Sequence, residues 1–433
     1  MGYRLAQKLQ LFDAKDMEKL TACVHCGLCL SHCPTYNILG IEPDSPRGRL
    51  YLMKNLNEGR INPDEGFIKH MQQCLSCRAC EAICPSDVEF GRLMGRTRSL
   101  IDEKHASSFV ERTIKRISLR GVIPHRRRLR LAMLLLGLVA SKPRPIQRII
   151  HGSTKSMVLS SISVLLNQLP RLPRKGFQFP KIDHSKTTEP TRKVALLSGC
   201  VMDSVFPRVN EATVRVLMRN GCEVLIPAGQ NCCGAVHHHN GDLVTAAELA
   251  KKNIDAFERA GADRILVNSA GCGAQMKEYW KILENDPEYA DRAKALSLRV
   301  SDVVEFLAER PLDGQFQSMT MKVTYQDPCH MVHVQGIRKE PRALLSAIPG
   351  LELVEMEGSD SCCGGAGTYA ITQRQLSERI LDEKMNNVSK IEPDAIITAN
   401  PPCLMQFCSG VKTRGMNAEV LHIVELLDRA YTS

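Results

Sequence analysis

Two runs of cysteine could do chemistry in this chain. The first reads Cys23-Val24-His25-Cys26-Gly27-Leu28-Cys29-Leu30-Ser31-His32-Cys33-Pro34, the second Cys74-Leu75-Ser76-Cys77-Arg78-Ala79-Cys80-Glu81-Ala82-Ile83-Cys84-Pro85. Each is C-x2-C-x2-C-x3-C-P, the spacing that holds [4Fe–4S] clusters in two-cluster electron carriers. Three thiolates on one tight loop take three corners of a cubane, and the fourth Cys, followed by Pro, reaches the other cluster. This assigns one cluster to Cys23, Cys26, Cys29 and Cys84, and the other to Cys33, Cys74, Cys77 and Cys80. Crossed ligation couples cluster binding to folding. Zinc sites use Cys pairs far apart, not four Cys in eleven residues with a trailing Pro. The chemistry predicted is the movement of single electrons.

A second set of cysteines repeats. Cys200 corresponds to Cys329 at an offset of 129, Cys232-Cys233 to Cys362-Cys363 at 130, and Cys272 to Cys403 at 131. A run of strand character precedes each: residues 194–197, 223–226 and 264–267, then 322–325, 353–356 and 395–398. Helical segments such as 211–219 and 243–260 separate them, so each half predicts βα units on a parallel sheet. Ligands of such sheets gather beyond the carboxyl ends of the strands, where these Cys fall. The sets Cys329, Cys362, Cys363, Cys403 and Cys200, Cys232, Cys233, Cys272 are thus candidate sites for a further iron–sulfur cluster, a redox-active dithiol or zinc. Cys222 has no counterpart and reads as core, and Cys408 is intermediate. Of His237, His238 and His239, three in a row, at most one can serve the neighbouring Cys pair; His330 and His333 are placed to hydrogen-bond a cluster. Gly364-Gly365 would let backbone approach a metal.

The elements that position these residues belong to a chain of 433 residues, long enough for two to four domains. Eighteen Cys in so long a chain point to thiols and thiolate ligands in a reducing compartment. The N-terminus has no apolar export signal, and the longest apolar stretch, 131–140, is too short to span a bilayer, so a cytoplasmic or peripheral protein is expected. The net charge of +10 is local. Between Arg112 and Lys181 lie sixteen Lys and Arg and no Asp or Glu, on a chain otherwise slightly acidic. This arm reads as helix through 122–136, a second apolar helix over 156–169, and a Pro-rich linker at Pro170, Pro173 and Pro180. It is either a solvated connector or a basic amphipathic face for an anionic membrane or an acidic partner. It carries no nucleic-acid reader motif, and its aromatics are sparse.

Taken together, the motifs resemble the iron–sulfur subunit of glycolate oxidase. The sharper parts are Ser198-Gly199-Cys200, Cys232-Cys233-Gly234-Ala235, Ser269 to Ala274 with Lys277-Glu278-Tyr279, and Cys362 to Ala370. The resemblance implies a complex in which FAD on one or two partner subunits oxidises glycolate or a related 2-hydroxy acid such as D-lactate, and this subunit carries electrons towards a quinone or other acceptor. It implies no catalytic residue here and no activity for the chain alone. Broader relatives are the cysteine-rich subunits of anaerobic glycerol-3-phosphate dehydrogenase and heterodisulfide reductase. The latter implies the alternative of a thiol/disulfide oxidoreductase, but its fifth Cys is replaced by Gln275 and Gln406. The expected architecture is a mixed α+β and α/β chain. It has a helical ferredoxin-like domain over 1–105, a helical basic arm and linker over 106–190, and two α/β CCG domains with parallel sheets over 191–315 and 316–433.

Overall fold

Short helices frame the two Cys runs because each starts on a side-chain cap. Asp13 caps Ala14–Thr21, Ser45 caps Pro46–Asn57, and Asp64 caps Glu65–Gln72, each accepting a backbone N–H of the first turn. Their apolar faces, with helix Phe90–Lys104, close a core of Phe12, Met53, Phe67, Met71 and Leu93. The computed structural model describes residues 12–104, 109–140, 164, 166, 177–180 and 192–431. Apart from residues 164 and 166, the expected second apolar helix of the arm and most of its Pro-rich linker lie outside these residues.

The described part of the arm is helix Phe109–Arg116, a π-helical turn Ile117–Val122 and helix Arg126–Ala140. It is not a solvated connector. Leu129 packs against Cys200, Cys232 and Leu249 of the following domain. Arg120 Nε donates to Asp242 Oδ2 at 2.8 Å. The outer face stays exposed, with Ile117, Leu131 and Leu135 among Arg116, Arg127 and Arg128.

Two four-stranded sheets follow. β1 (Arg192–Leu197), β2 (Cys222–Leu225), β3 (Arg264–Val267) and β4 (Val300–Asp302) order as β2-β1-β3-β4. β5 (Met321–Tyr325), β6 (Leu351–Leu353), β7 (Ala395–Thr398) and β8 (Glu419–His422) repeat this as β6-β5-β7-β8. Every pairing is parallel. β4 and β8 are absent from the strand pattern of the sequence because they are short edge strands ending in polar caps: Asp302 and His422 each close a capping box on the next helix. β6 lies two residues earlier than its predicted run, since its register with β5 ends at the pair Val323 and Leu353.

Both faces of each sheet are covered, as parallel strands require. Val194 and Leu196 of β1 and Val323 and Tyr325 of β5 point into one core shared by the two halves. Ala195 and Leu197 point the other way, with Ile254 and Phe257 of helix Leu243–Ala260. Helix Pro207–Arg219 of the first half packs on Ile423–Ala430 of the second, tied by Arg215 Nη2 to Asp428 Oδ2 at 2.6 Å. Because one core serves both sheets, Leu427→Ala in the second half should cost about 2–5 kcal/mol and lower hydrogen-exchange protection in β1 and β3 as well as in β5 and β7.

Candidate electron-transfer centre

The two N-terminal Cys runs fold alike. His25 and Ser76, at matching positions, both have φ of +54°, and Gly27 (+86°) matches Arg78 (+62°). Two left-handed residues per loop curl each run back on itself. Glycine takes this conformation freely, whereas Arg78 does so at a cost of about 1–2 kcal/mol. Ion pairs hold it there: Arg78 Nη2 donates to Glu278 Oε1 at 2.9 Å, bridging to the first sheet domain. Cys23, Cys26 and Cys29 line one cavity with Cys80 and Cys84. Cys33 instead lies with Cys74 and Cys77 around Cys80. Burial pushes the Cys77 and Cys80 thiols well up, and neighbouring thiolates add to it. The loops also supply N–H donors to sulfur, as from Ser76 N to Cys74 Sγ at 3.3 Å.

The two loops differ in exposure. Cys26 is exposed, with Val24 and Leu28 standing out beside it, whereas Cys74 is buried. Leu75 shares a buried cluster with Cys362 and Tyr369 of the second sheet domain, and Cys77 and Cys329 both pack against it. Tyr369 locks this contact by donating to Gln73 O at 2.9 Å.

In each half the strand order reverses between β1 and β3, or β5 and β7, and the Cys gather at that switch point. Cys200 Sγ lies 3.4 Å from Cys232 Sγ, and Cys363 Sγ 3.3 Å from Cys403 Sγ. Cys233 is in contact with Cys272, and Cys329 with Cys362. All of the first set except Cys272, and all of the second except Cys329, are buried. Among the described residues, no three His, Cys, Asp or Glu side chains close on one point as a lone metal ion needs. Four thiols gathered at one switch point form a soft all-sulfur donor set, the kind that iron–sulfur clusters use. Cys222 is buried at the start of β2, away from these sets.

Several neighbours differ from the sequence reading. His330 Nε2 lies 2.9 Å from Ser76 O, and His333 Nε2 3.1 Å from Asp360 O, so both bond backbone rather than sulfur. Gly364 and Gly365 are crowded by protein backbone. A Cβ there would meet Ser377 O at 2.9 Å and Pro402 O at 2.7 Å, so they admit protein backbone. Gln406, in place of a fifth Cys, donates to Cys363 O at 3.0 Å. Of the three consecutive His, only His237 adjoins a Cys: its Nε2 lies 2.7 Å from Leu119 O, and its ring lies beside Cys232. Burial works against its imidazolium, but Cys232 outweighs this and raises its pKa. His238 and His239 line a cleft of about 210 Å³ with Arg78, Gln275 and His330. Burial holds His238 down to about 4 and His239 well below its usual value.

Buried cations escape the motif search. Arg49 Nη2 donates to Asp44 Oδ1 at 3.0 Å, and its Nη1 to Asp44 O at 2.6 Å, 4.0 Å from Cys33 Sγ. Arg98 has no carboxylate partner among its bonds, which go to Ser76 Oγ and the carbonyls of Met71, Cys74 and His239. Lys384 is 3% exposed and bonds only Gly358 O and Ser359 O. Burial lowers it to about 8, against the pull of Cys363, Cys362 and Cys403. The signal for Lys384 was present in the repeat, since an offset of 131 aligns it with Asn253.

Residues 19–88 match the family of the 4Fe-4S dicluster domain, and residues 194–277 and 323–408 each match that of the CCG cysteine-rich domain. The probable glycolate oxidase iron-sulfur subunit of Bacillus subtilis is 39% identical over 424 residues, covering 96% of this chain and 95% of that protein. The chain belongs to the glycolate oxidase iron–sulfur subunit family. The glycolate oxidase iron-sulfur subunit of Escherichia coli is 36% identical, covering 95% of this chain and 94% of that protein. A subunit of the fumarate reductase (CoM/CoB) of Methanothermobacter marburgensis is 28% identical, covering 98% of this chain and 75% of that protein. As a member of this family the chain is an iron–sulfur subunit of an oxidoreductase complex, and it transfers electrons through [4Fe–4S] clusters.

The Arg49–Asp44 pair tests how the second Cys loop is held. Both side chains are 1% exposed. Arg49→Leu strands a buried carboxylate and should cost about 3–5 kcal/mol in urea unfolding of the anaerobic protein. Adding Asp44→Asn should recover part of the loss.

Proposed function

We propose that this chain is the electron conduit of a flavin-dependent 2-hydroxy-acid dehydrogenase, acting on glycolate or D-lactate. FAD resides on a partner subunit, and the electrons leave to a quinone or another carrier. In this reading Cys23, Cys26, Cys29 and Cys84 hold one [4Fe–4S] cluster, and Cys33, Cys74, Cys77 and Cys80 the other. Residues 1–105 form the cluster domain and 106–190 the arm. Residues 191–315 and 316–433 are the two CCG domains. Such clusters supply one-electron chemistry without proton transfer. Cys329, Cys362, Cys363 and Cys403 are the proposed ligands of a third centre, and Cys200, Cys232, Cys233 and Cys272 a further set of the same kind. The observation that carries the reading is the hydrophobic cluster of Leu75 and Cys362, against which both Cys77 and Cys329 pack, so that the two Cys sets meet at one interface. The chain's own residues hold the sites in fixed positions and exclude water. The exposed first loop, with Val24 and Leu28, offers the edge where a redox partner can approach. Gln406 is bonded into the Cys363 loop, which leaves the heterodisulfide-cleaving alternative without its fifth ligand.

Anaerobically purified chain should hold about twelve or more irons, eight of them in the two N-terminal cubanes. Cys362→Ser should remove about four and one EPR signal. Eight irons in the unsubstituted chain would confine the path to the N-terminal clusters. The chain alone should oxidise no hydroxy acid. No described helix is long and apolar enough to cross a membrane. The arm's exposed face, Leu131 and Leu135 beside Arg127 and Arg128, suits an anionic bilayer surface. The full chain should co-sediment with anionic vesicles at low salt and be released at high salt. Binding that ignores salt, or none, would sink the membrane role.

A further inference from the structure

The two CCG halves are the same scaffold with one exchange beside the cysteines. Helix Leu243–Ala260 and helix Arg374–Ile391 have equal lengths and both end on a left-handed residue, Gly261 and Glu392. At the matching buried position the first carries Asn253 and the second Lys384. Asn253 is fully satisfied by neutral groups: its Oδ1 accepts from Asn231 N at 2.7 Å, and its Nδ2 donates to Cys232 O at 3.1 Å. Lys384 makes no ion pair among the described residues. Its hydrogen bonds go to two carbonyls of the loop that leads into Cys362. Asp360, the nearest carboxylate to bear on it, accepts a bond from Arg338 at 3.3 Å.

A lysine buried to this degree is expensive unless an anion offsets it. The helix could have kept an uncharged residue, as its twin does. Besides Asp360, the groups of opposite potential charge around Lys384 are the thiols of Cys362, Cys363 and Cys403, and Leu381 and Met385 of its helix pack with Cys363 and Cys403. The same device surrounds the second N-terminal loop, where Arg98 also bonds only neutral oxygens beside Cys74. In the first half, the arm's Arg126 reaches Ser198 next to Cys200, but it is half-buried and has the Asp203 carboxylate nearby.

We propose that Lys384 is the counter-ion of an iron–sulfur centre held by Cys329, Cys362, Cys363 and Cys403, and that its charge raises the reduction potential of that centre. The inference rests on the reading above that these four Cys hold such a centre. It goes further in naming the residue that sets its potential and in making the second half the one built for a net negative centre. Lys384 is a positioning and tuning residue, not a catalytic one. Added electron density on the centre is stabilised by a fixed positive charge in low dielectric, so removing the charge makes reduction harder.

The test uses full-length chain purified anaerobically, in unsubstituted, Lys384→Met, Lys384→Arg and Cys362→Ser forms. Iron is counted, and EPR signals are followed through a reductive titration. The third centre is the signal missing from Cys362→Ser. In Lys384→Met its midpoint should move to lower potential while the other two signals stay in place, and Lys384→Arg should remain close to the unsubstituted chain. Loss of only the third centre in Lys384→Met, with retention in Lys384→Arg, also supports the counter-ion. An unmoved midpoint in Lys384→Met overturns the proposal, as does an equal change in Lys384→Arg, which would make side-chain shape the cause. If the unsubstituted chain holds eight irons and lacks the third signal, the reading of these Cys as a cluster site has failed, and the counter-ion falls with it. That outcome is visible before any Lys384 variant is titrated.

Discussion

The cluster of Leu75 and Cys362, with Cys77 and Cys329 packed against it, is the contact that joins the N-terminal Cys loops to the second sheet domain. Electron transfer falls steeply with distance, so a conduit must hold its sites still. Here the contact is locked from both sides. Tyr369 reaches back to Gln73 O, and Arg379 donates to Ile38 O at 3.0 Å. The first sheet domain is then held through the shared core of the two halves and through Glu278 on Arg78. Gly241 shows how close that junction is: a Cβ there would meet the backbone of Arg98 at 2.5 Å.

Packing thiolate sites into such a junction raises an electrostatic problem that surface ion pairs do not solve. Exposed pairs such as Lys390 with Glu357 contribute about 0–1 kcal/mol. A charge left buried and unpaired costs several times more. The cations that matter are therefore the buried ones: Arg49 at Cys33, Arg98 at Cys74 and Lys384 at the second CCG set. The first N-terminal loop is open to water, and its nearby Arg47 is taken up by Glu42 at 2.7 Å. Solvent screens that site in place of a buried partner.

Much of this was legible in the sequence, for identifiable reasons. The Cys spacing marked both N-terminal loops, and offsets of 129 to 131 marked the repeat together with its parallel strands. Alternating β-branched and aliphatic runs gave β1, β3, β5 and β7 their places, because central parallel strands are apolar on both faces. β4 and β8 were missed because edge strands of three and four residues ending in Asp302 and His422 have no such signature. Contacts between distant segments were not legible at all. Nothing near Leu129 predicts that it meets Cys200, nor does His330 announce a bond to Ser76 O 254 residues away. Charge composition suggested a solvent-facing arm, yet its inner face is apolar and occupied.

That inner face has a consequence for how the molecule is made. Helix Arg126–Ala140 covers Cys200 and Cys232 of the first CCG half through Leu129, and the turn Ile117–Val122 ahead of it brings Leu119 O to His237. The lid is synthesised before the residues it covers. Docking of the helix therefore follows synthesis of the first CCG half, and it leaves Cys200 and Cys232 buried.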